Sequence, residues 1–118
     1  MDWEDSIVFL GVDNLDGVDE FYRKGLNLSL YKDQGVCKIY EVPGNGMIGF
    51  CTHMDKNVAD KSPIITLLSD DVDGIYRKIK KTKYEIKHPP KINSDFNIYH
   101  FFLKDPEGYT VEIQKFLK

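Results

Sequence analysis

Cysteine is scarce in this chain of 118 residues: there are two, Cys37 and Cys51, in no CxxC pair. That scarcity argues against a disulfide scaffold and points to free thiols in a reducing compartment. Positive charge is not in excess either. Sixteen Lys and Arg against nineteen Asp and Glu leave a formal net charge of −3, so the basic footprint of a nucleic-acid binder is missing. No apolar run approaches the roughly 18 residues of a membrane helix. The acidic start Met1-Asp2-Trp3-Glu4-Asp5 lacks the apolar region of a signal peptide. These absences give the expectation of a cytoplasmic protein with neither nucleic acid nor membrane as partner. The one cationic run, Arg77 to Lys83, reads as the solvated end of a helix, where positive charge suits the macrodipole.

Aromatic residues, by contrast, are plentiful: seven Tyr, seven Phe and one Trp suggest a core or a cleft rich in rings. A repeat is also present. Val18-Asp19-Glu20-Phe21-Tyr22-Arg23-Lys24 and Val72-Asp73-Gly74-Ile75-Tyr76-Arg77-Lys78 agree at five of seven positions, 54 residues apart. Helical periodicity places Val18, Phe21, Tyr22 and Leu26 on one face, and Val72, Ile75, Tyr76 and Ile79 on another. Periodicity does not account for the shared Asp or Arg-Lys, so the chain reads as a duplication. Asn14 or Asp16 is expected to cap the first helix, and Ser69 or Asp70 the second.

Each helix follows an apolar strand, at 6–12 and 63–68, and precedes three more. In the first half these are 26–31, 36–42 and 46–52, with Pro43-Gly44-Asn45-Gly46 as a turn between the last two. In the second half they are 84–87, 98–104 and 109–116. His88 to Phe96, with two prolines, reads as an irregular loop, and Asp105-Pro106-Glu107-Gly108 as a type I turn. The pattern is β-α-β-β-β twice within one domain over 1–118: module 1 about 1–54, module 2 about 62–118.

With these pieces in order, the chain resembles the vicinal oxygen chelate superfamily, which includes glyoxalase I, bleomycin-resistance proteins, fosfomycin-resistance enzymes and extradiol dioxygenases. The matching pieces are Val12-Asp13-Asn14-Leu15, Phe21-Tyr22, Gly25-Leu26, Asp70-Asp71-Val72-Asp73, and the stretch DPEGYTVEI from Asp105 to Ile113. The resemblance implies an α+β fold in which the mixed sheets of two tandem modules form a U-shaped cleft, commonly in a homodimer. In metal-dependent relatives that cleft holds a divalent ion. The corresponding positions here are Ile7, Gly49, Ile64 and Glu112. Isoleucine and glycine side chains have no lone pair to donate, and one carboxylate falls short of the roughly three protein ligands a catalytic ion needs. The expectation is therefore no metal and no cofactor.

Alternation along the strands selects the side chains that share the cleft face. They are Phe9, Met47, Cys51, Thr66, His100, Phe102 and Glu112, an apolar and aromatic lining with few polar groups, as ligand pockets have. Glu112 and His100 are the catalytic candidates, since a paired His and Glu make a general base without a metal. His53 and His88 fall near loops. Three functions compete. The first is metal-free binding of a small organic molecule, for which Glu112 and the acidic net charge suit a cationic group. The second is a metal-dependent glyoxalase-type lyase or isomerase. The third is a partner-binding subunit with a filled cleft.

Overall fold

The computed structural model describes residues 1–44 and 46–118. Contacts divide the chain into two compact units, Met1–Asn57 and Val58–Lys118, and each is described by itself.

The first unit contains β1 (Ile7–Gly11), helix α1 (Leu15–Asp19), a π-helical continuation (Glu20–Gly25), β2 (Ser29–Asp33), β3 (Cys37–Val42) and β4 (Gly46–Cys51). Its sheet runs β1-β4-β3-β2, with β1 parallel to β4 and the other pairs antiparallel. Asn14 caps the helix, its side chain accepting from the amides of Asp16 and Gly17. Widening to i→i+5 bonds, such as Leu26 N to Phe21 O at 2.8 Å, still leaves Val18, Phe21 and Tyr22 buried. Tyr22 stacks on Phe50 of β4 with centroids 4.6 Å apart, and Tyr40 of β3 meets Phe50 edge-on at 6.0 Å. Phe21, Tyr22, Tyr40 and Phe50 thus form an aromatic core in this half, while Trp3, Phe9 and Tyr31 are exposed. Asn45, in the expected 43–46 turn, lies outside the described residues.

The second unit contains β5 (Ile64–Leu68), α2 (Val72–Lys80), β6 (Lys91–Asn93), β7 (Ile98–Lys104) and β8 (Thr110–Phe116), with sheet order β5-β8-β7-β6. Again one pair, β5 with β8, is parallel and the rest are antiparallel. The fold is α+β, with two mixed four-stranded sheets built on the same plan. Phe101, Leu103, Val111 and Ile113 are buried together with Val72 and Ile79 of α2.

Three expectations need correction. The cap of α2 is Asp71, which accepts from the Gly74 amide at 3.0 Å, while Ser69 supports it by accepting from the Asp71 amide. The strand expected at 84–87 reduces to a single bridge, Ile86 to Leu103. The edge strand lies instead inside the supposed loop, at Lys91–Asn93, paired with Ile98–His100. Pro89 and Pro90 carry no N–H for a ladder, so pairing begins just after them. Asn93 then turns the chain by accepting from the Asp95 amide, and Asn97 takes the left-handed conformation at φ 55°.

The last correction concerns sulfur. Cys37 and Cys51 are joined by a disulfide, and neither is a free thiol. The β3–β4 register sets them opposite each other. The Thr52 amide bonds to the Val36 carbonyl beside them, marking a non-hydrogen-bonded pair, the kind whose side chains come closest.

The structure also supplies the reason for the shared Asp of the repeat. In each unit it accepts a tyrosine hydroxyl from the third strand: Tyr40 to Asp19 at 2.8 Å, and Tyr99 to Asp73 at 2.6 Å. Both phenols are thereby held above their usual pKa, Tyr40 chiefly by burial and Tyr99 chiefly by this bond. Asp19 additionally takes a bidentate Arg23 guanidinium. Bonds from Arg23, then from Tyr40, outweigh burial and hold the Asp19 carboxyl near 2 instead of its ordinary 3.8. A depressed carboxylate stabilises the fold fully above its unfolded pKa, and that contribution disappears as pH falls through the folded value. Asp19→Asn is expected to flatten the fall in melting temperature between about pH 4 and 2; an acid limb of unchanged slope would contradict this role.

Candidate functional site

The hairpin β7–β8 determines the site. Its turn is tied by Asp105, whose side chain accepts from the Glu107 and Tyr109 amides, both at 2.9 Å, while Gly108 N bonds to Asp105 O at 3.1 Å. Gly108 has φ 93°, a left-handed value that costs glycine no steric strain. The turn sets the register Phe102 to Glu112 and His100 to Gln114. Val111, Ile113, Phe101 and Leu103 take one face. His100, Phe102, Glu112 and Gln114 take the other.

On that second face His100 and Glu112 meet. His100 Nδ1 lies 2.7 Å from Glu112 Oε2, with both side chains buried. Thr66, opposite Glu112 in the parallel β5–β8 pairing, donates its hydroxyl to Oε1 at 2.8 Å. When the Glu112 carboxylate is ionised it only accepts, and Nδ1 is then the donor of the His–Glu bond. The other ring nitrogen, Nε2, is buried and has no hydrogen bond to any described residue. Buried polar atoms are nearly always paired, so Nε2 is an exception among the described residues.

The same face bounds a cavity of about 630 Å³ within the second unit, in the size range of small-molecule sites. Ile64, Ile98, Phe96, Phe102 and Phe116 make its apolar walls, and His100, Glu112 and Gln114 its buried polar part. His88 packs edge-on against His100 and Phe102, at 6.2 and 5.9 Å between centroids. Four lysines, 61, 87, 91 and 104, line the cavity against two carboxylates, Asp60 and Glu112. Lys104 donates to Thr110 Oγ1 at 2.7 Å and to the Asp60 carbonyl at 3.1 Å; Lys61 and Lys91 are exposed.

Of the residues singled out by sequence, His100, Phe102 and Glu112 lie together in this wall. Thr66 supports Glu112 from beside the cavity. Phe9, Met47 and Cys51 belong to the first unit and are not among the walls. Phe9 lies across Gly49, where an added Cβ would strike its ring. Cys51 is buried in the disulfide. Sequence reading missed Lys91, placed by the unexpected edge strand, and His88, placed just after the Ile86–Leu103 bridge and the Lys87 amide bond to the Phe102 carbonyl. It also missed Lys104, whose parity with His100 and Phe102 was a usable signal.

The donor set does not fit the metal ion of metal-dependent relatives. Ile7 and Ile64 carry hydrocarbon, Gly49 lies under the Phe9 ring, and both Glu112 oxygens are engaged. Among the described residues, a first-unit group of ligand type is Cys37, Cys51 and His53, which is not at those positions.

The family model described as Glyoxalase/Bleomycin resistance protein/Dioxygenase superfamily matches residues 5–113. No curated protein matches the sequence significantly. Among solved structures, a glyoxalase/bleomycin resistance protein/dioxygenase from Alicyclobacillus acidocaldarius has a TM-score of 0.79 at 16% identity, covering 98% of this chain and 92% of that one. One from Nocardioides has a TM-score of 0.75 at 17% identity, covering 100% and 86%. A lactoylglutathione lyase from Agrobacterium tumefaciens has a TM-score of 0.73 at 20% identity, covering 92% and 90%. At these identities the likeness establishes the fold. Among the described residues no helix is long and apolar enough to cross a membrane.

Proposed function

Because the chain belongs to the glyoxalase/bleomycin resistance protein/dioxygenase superfamily, we propose that it binds a small organic molecule, without a metal ion, in the cavity of its second module. What supports this reading is an apolar, ligand-sized cavity whose wall includes His100, a residue whose buried Nε2 has no hydrogen bond to any described residue. The His100 ring is held by Glu112, and Glu112 by Thr66, so the imidazole keeps a fixed orientation.

The lysines reverse the charge preference expected from the acidic composition. With Glu112 engaged by His100 and Thr66, the free charge around the cavity is mainly positive. A flat ring bearing a carboxylate or similar anion suits the Phe walls and the lysines together. The functional unit is taken to be a homodimer, supported by the family resemblance.

A second reading, metal-free proton transfer, is favoured by the His100–Glu112 pair. With Nδ1–H bonded to the carboxylate, a neutral ring offers Nε2 as a base. This chemistry requires a substrate proton within hydrogen-bond reach of Nε2.

The test is a melting series on chelator-treated protein with benzoate-class acids and with benzylamine-class bases of equal size. The acids are expected to raise the melting temperature in a concentration-dependent way, by linkage, and Lys91→Glu to weaken the effect. Stabilisation by the amines alone, or by neither class, would overturn the assignment.

A further inference from the structure

Cys37, Cys51 and His53 have no part in the cavity of the second module. The two sulfurs sit at facing positions of β3 and β4, with Cα atoms 4.1 Å apart. Both are buried, whereas His53, two residues beyond Cys51, is exposed. Its Nδ1 lies 3.7 Å from Cys37 Sγ, and the three ligand atoms lie within 4.8 Å of one another.

We propose that, in its dithiol state, this cluster is a binding site for a thiophilic divalent ion of the zinc type, with Cys37, Cys51 and His53 as ligands. Tetrahedral zinc, with Zn–S of about 2.3 Å and Zn–N of about 2.0–2.1 Å, sets neighbouring ligand atoms about 3.5–3.8 Å apart. The 3.7 Å between Cys37 Sγ and His53 Nδ1 already meets that requirement. The two sulfurs must separate by rotation about their Cα–Cβ bonds once they are no longer bonded to each other. The adjacent strands need not part, since paired Cβ atoms in this kind of position are within reach of a shared ion. The exposed imidazole is the solvent-facing ligand, so the site has an entrance beside two buried sulfurs.

Oxidation state controls the site. A dithiol reductant passes two electrons and two protons to the Cys37–Cys51 bond, giving two thiols and leaving the reductant as its own disulfide. The ion then displaces both thiol protons and takes one imidazole lone pair. The fourth position falls to water or an external ligand. In the disulfide state neither sulfur has a thiolate to offer, and the site is closed.

The test uses Co²⁺ as an optical probe for the zinc-type site, titrated anaerobically into the full chain. One sample is reduced with a phosphine and freed of it, and the other is left oxidised. The reduced chain is expected to bind about one ion, with an intense thiolate-to-cobalt band in the near ultraviolet, and the oxidised chain to show none. Cys51→Ser is expected to lose the band. His53→Ala changes an exposed residue and spares the sulfur pair, so it reads the site without risking the fold; about tenfold or greater loss of affinity is expected. No band in the reduced chain, or undiminished affinity in His53→Ala, would overturn the assignment.

Discussion

Glu112→Ala is expected to destabilise the second module by about 1–3 kcal/mol, the cost of leaving a buried polar group unpaired, and to abolish binding in the cavity. Two donors depend on this carboxylate: His100 Nδ1 on Oε2 and Thr66 Oγ1 on Oε1. Thr66 is exposed and can turn to water, but the His100 side chain is only 4% exposed. The loss therefore falls on the imidazole, which must swing out of the wall or remain without an acceptor. Either way Nε2 is no longer presented to a ligand. Glu112→Gln separates stability from charge. Its amide oxygen accepts from His100, and its NH₂ donates to a rotated Thr66 hydroxyl, so melting should stay closer to wild type than in the Ala variant. Chemical denaturation and the benzoate-class titration together check this. An Ala variant that melts and binds like wild type would show that the His–Glu–Thr chain has no supporting role.

Phe50→Ala is expected to cost about 3–5 kcal/mol, the range for a fully buried aromatic. Its ring is 0% exposed and stacks on Tyr22 while meeting Tyr40 edge-on. Removing it opens a hole beneath the helix, and the neighbours that would fill it are themselves pinned. Tyr40 is anchored by its hydroxyl to Asp19, which leaves little room for collapse. Against the total of about 5–15 kcal/mol typical of a domain, this is a large fraction. The measurement is the urea midpoint of the oxidised protein at unchanged slope. A loss below about 1 kcal/mol would contradict the packing described.

The register of the β7–β8 hairpin was readable from sequence because a short stiff turn fixes register over long strands. Once Asp105 to Gly108 is a turn, Lys104 meets Thr110 and Phe102 meets Glu112, and alternation places His100 beside them. The same reasoning, applied to the turn before Gly46, pairs Val42 with Gly46 and, five pairs outward, Cys37 with Cys51. That signal was present but was overridden by the compositional argument that two cysteines in a small acidic chain stay free. The edge strand Lys91–Asn93 was less legible. Three residues between a proline pair and an Asn-rich turn carry no periodicity, and their pairing is decided by the exposed edge of β7. Lys91 reaches the cavity through that pairing, and His88 through the Ile86–Leu103 bridge just before it, so local pattern could not announce them.

The shared Asp of the repeat shows a different limit. Duplication was evident from Val-Asp and Tyr-Arg-Lys, but the reason for Asp19 and Asp73 lies in Tyr40 and Tyr99, 21 and 26 residues away. A long-range hydrogen bond leaves no periodic mark.

The central claim, that His100 Nε2 meets an organic ligand and not a metal ion, is tested most directly by nitrogen-15 NMR of the histidine rings in chelator-treated, oxidised protein. The spectrum is followed first on adding an aromatic carboxylate and then, in a separate sample, on adding one equivalent of Zn²⁺. The expected result is a saturable shift of His100 Nε2 with the carboxylate, lost in Glu112→Ala, and no stoichiometric shift with zinc. A one-to-one zinc shift at His100 that disappears in Glu112→Ala, with no response to the organic acid, would contradict the claim.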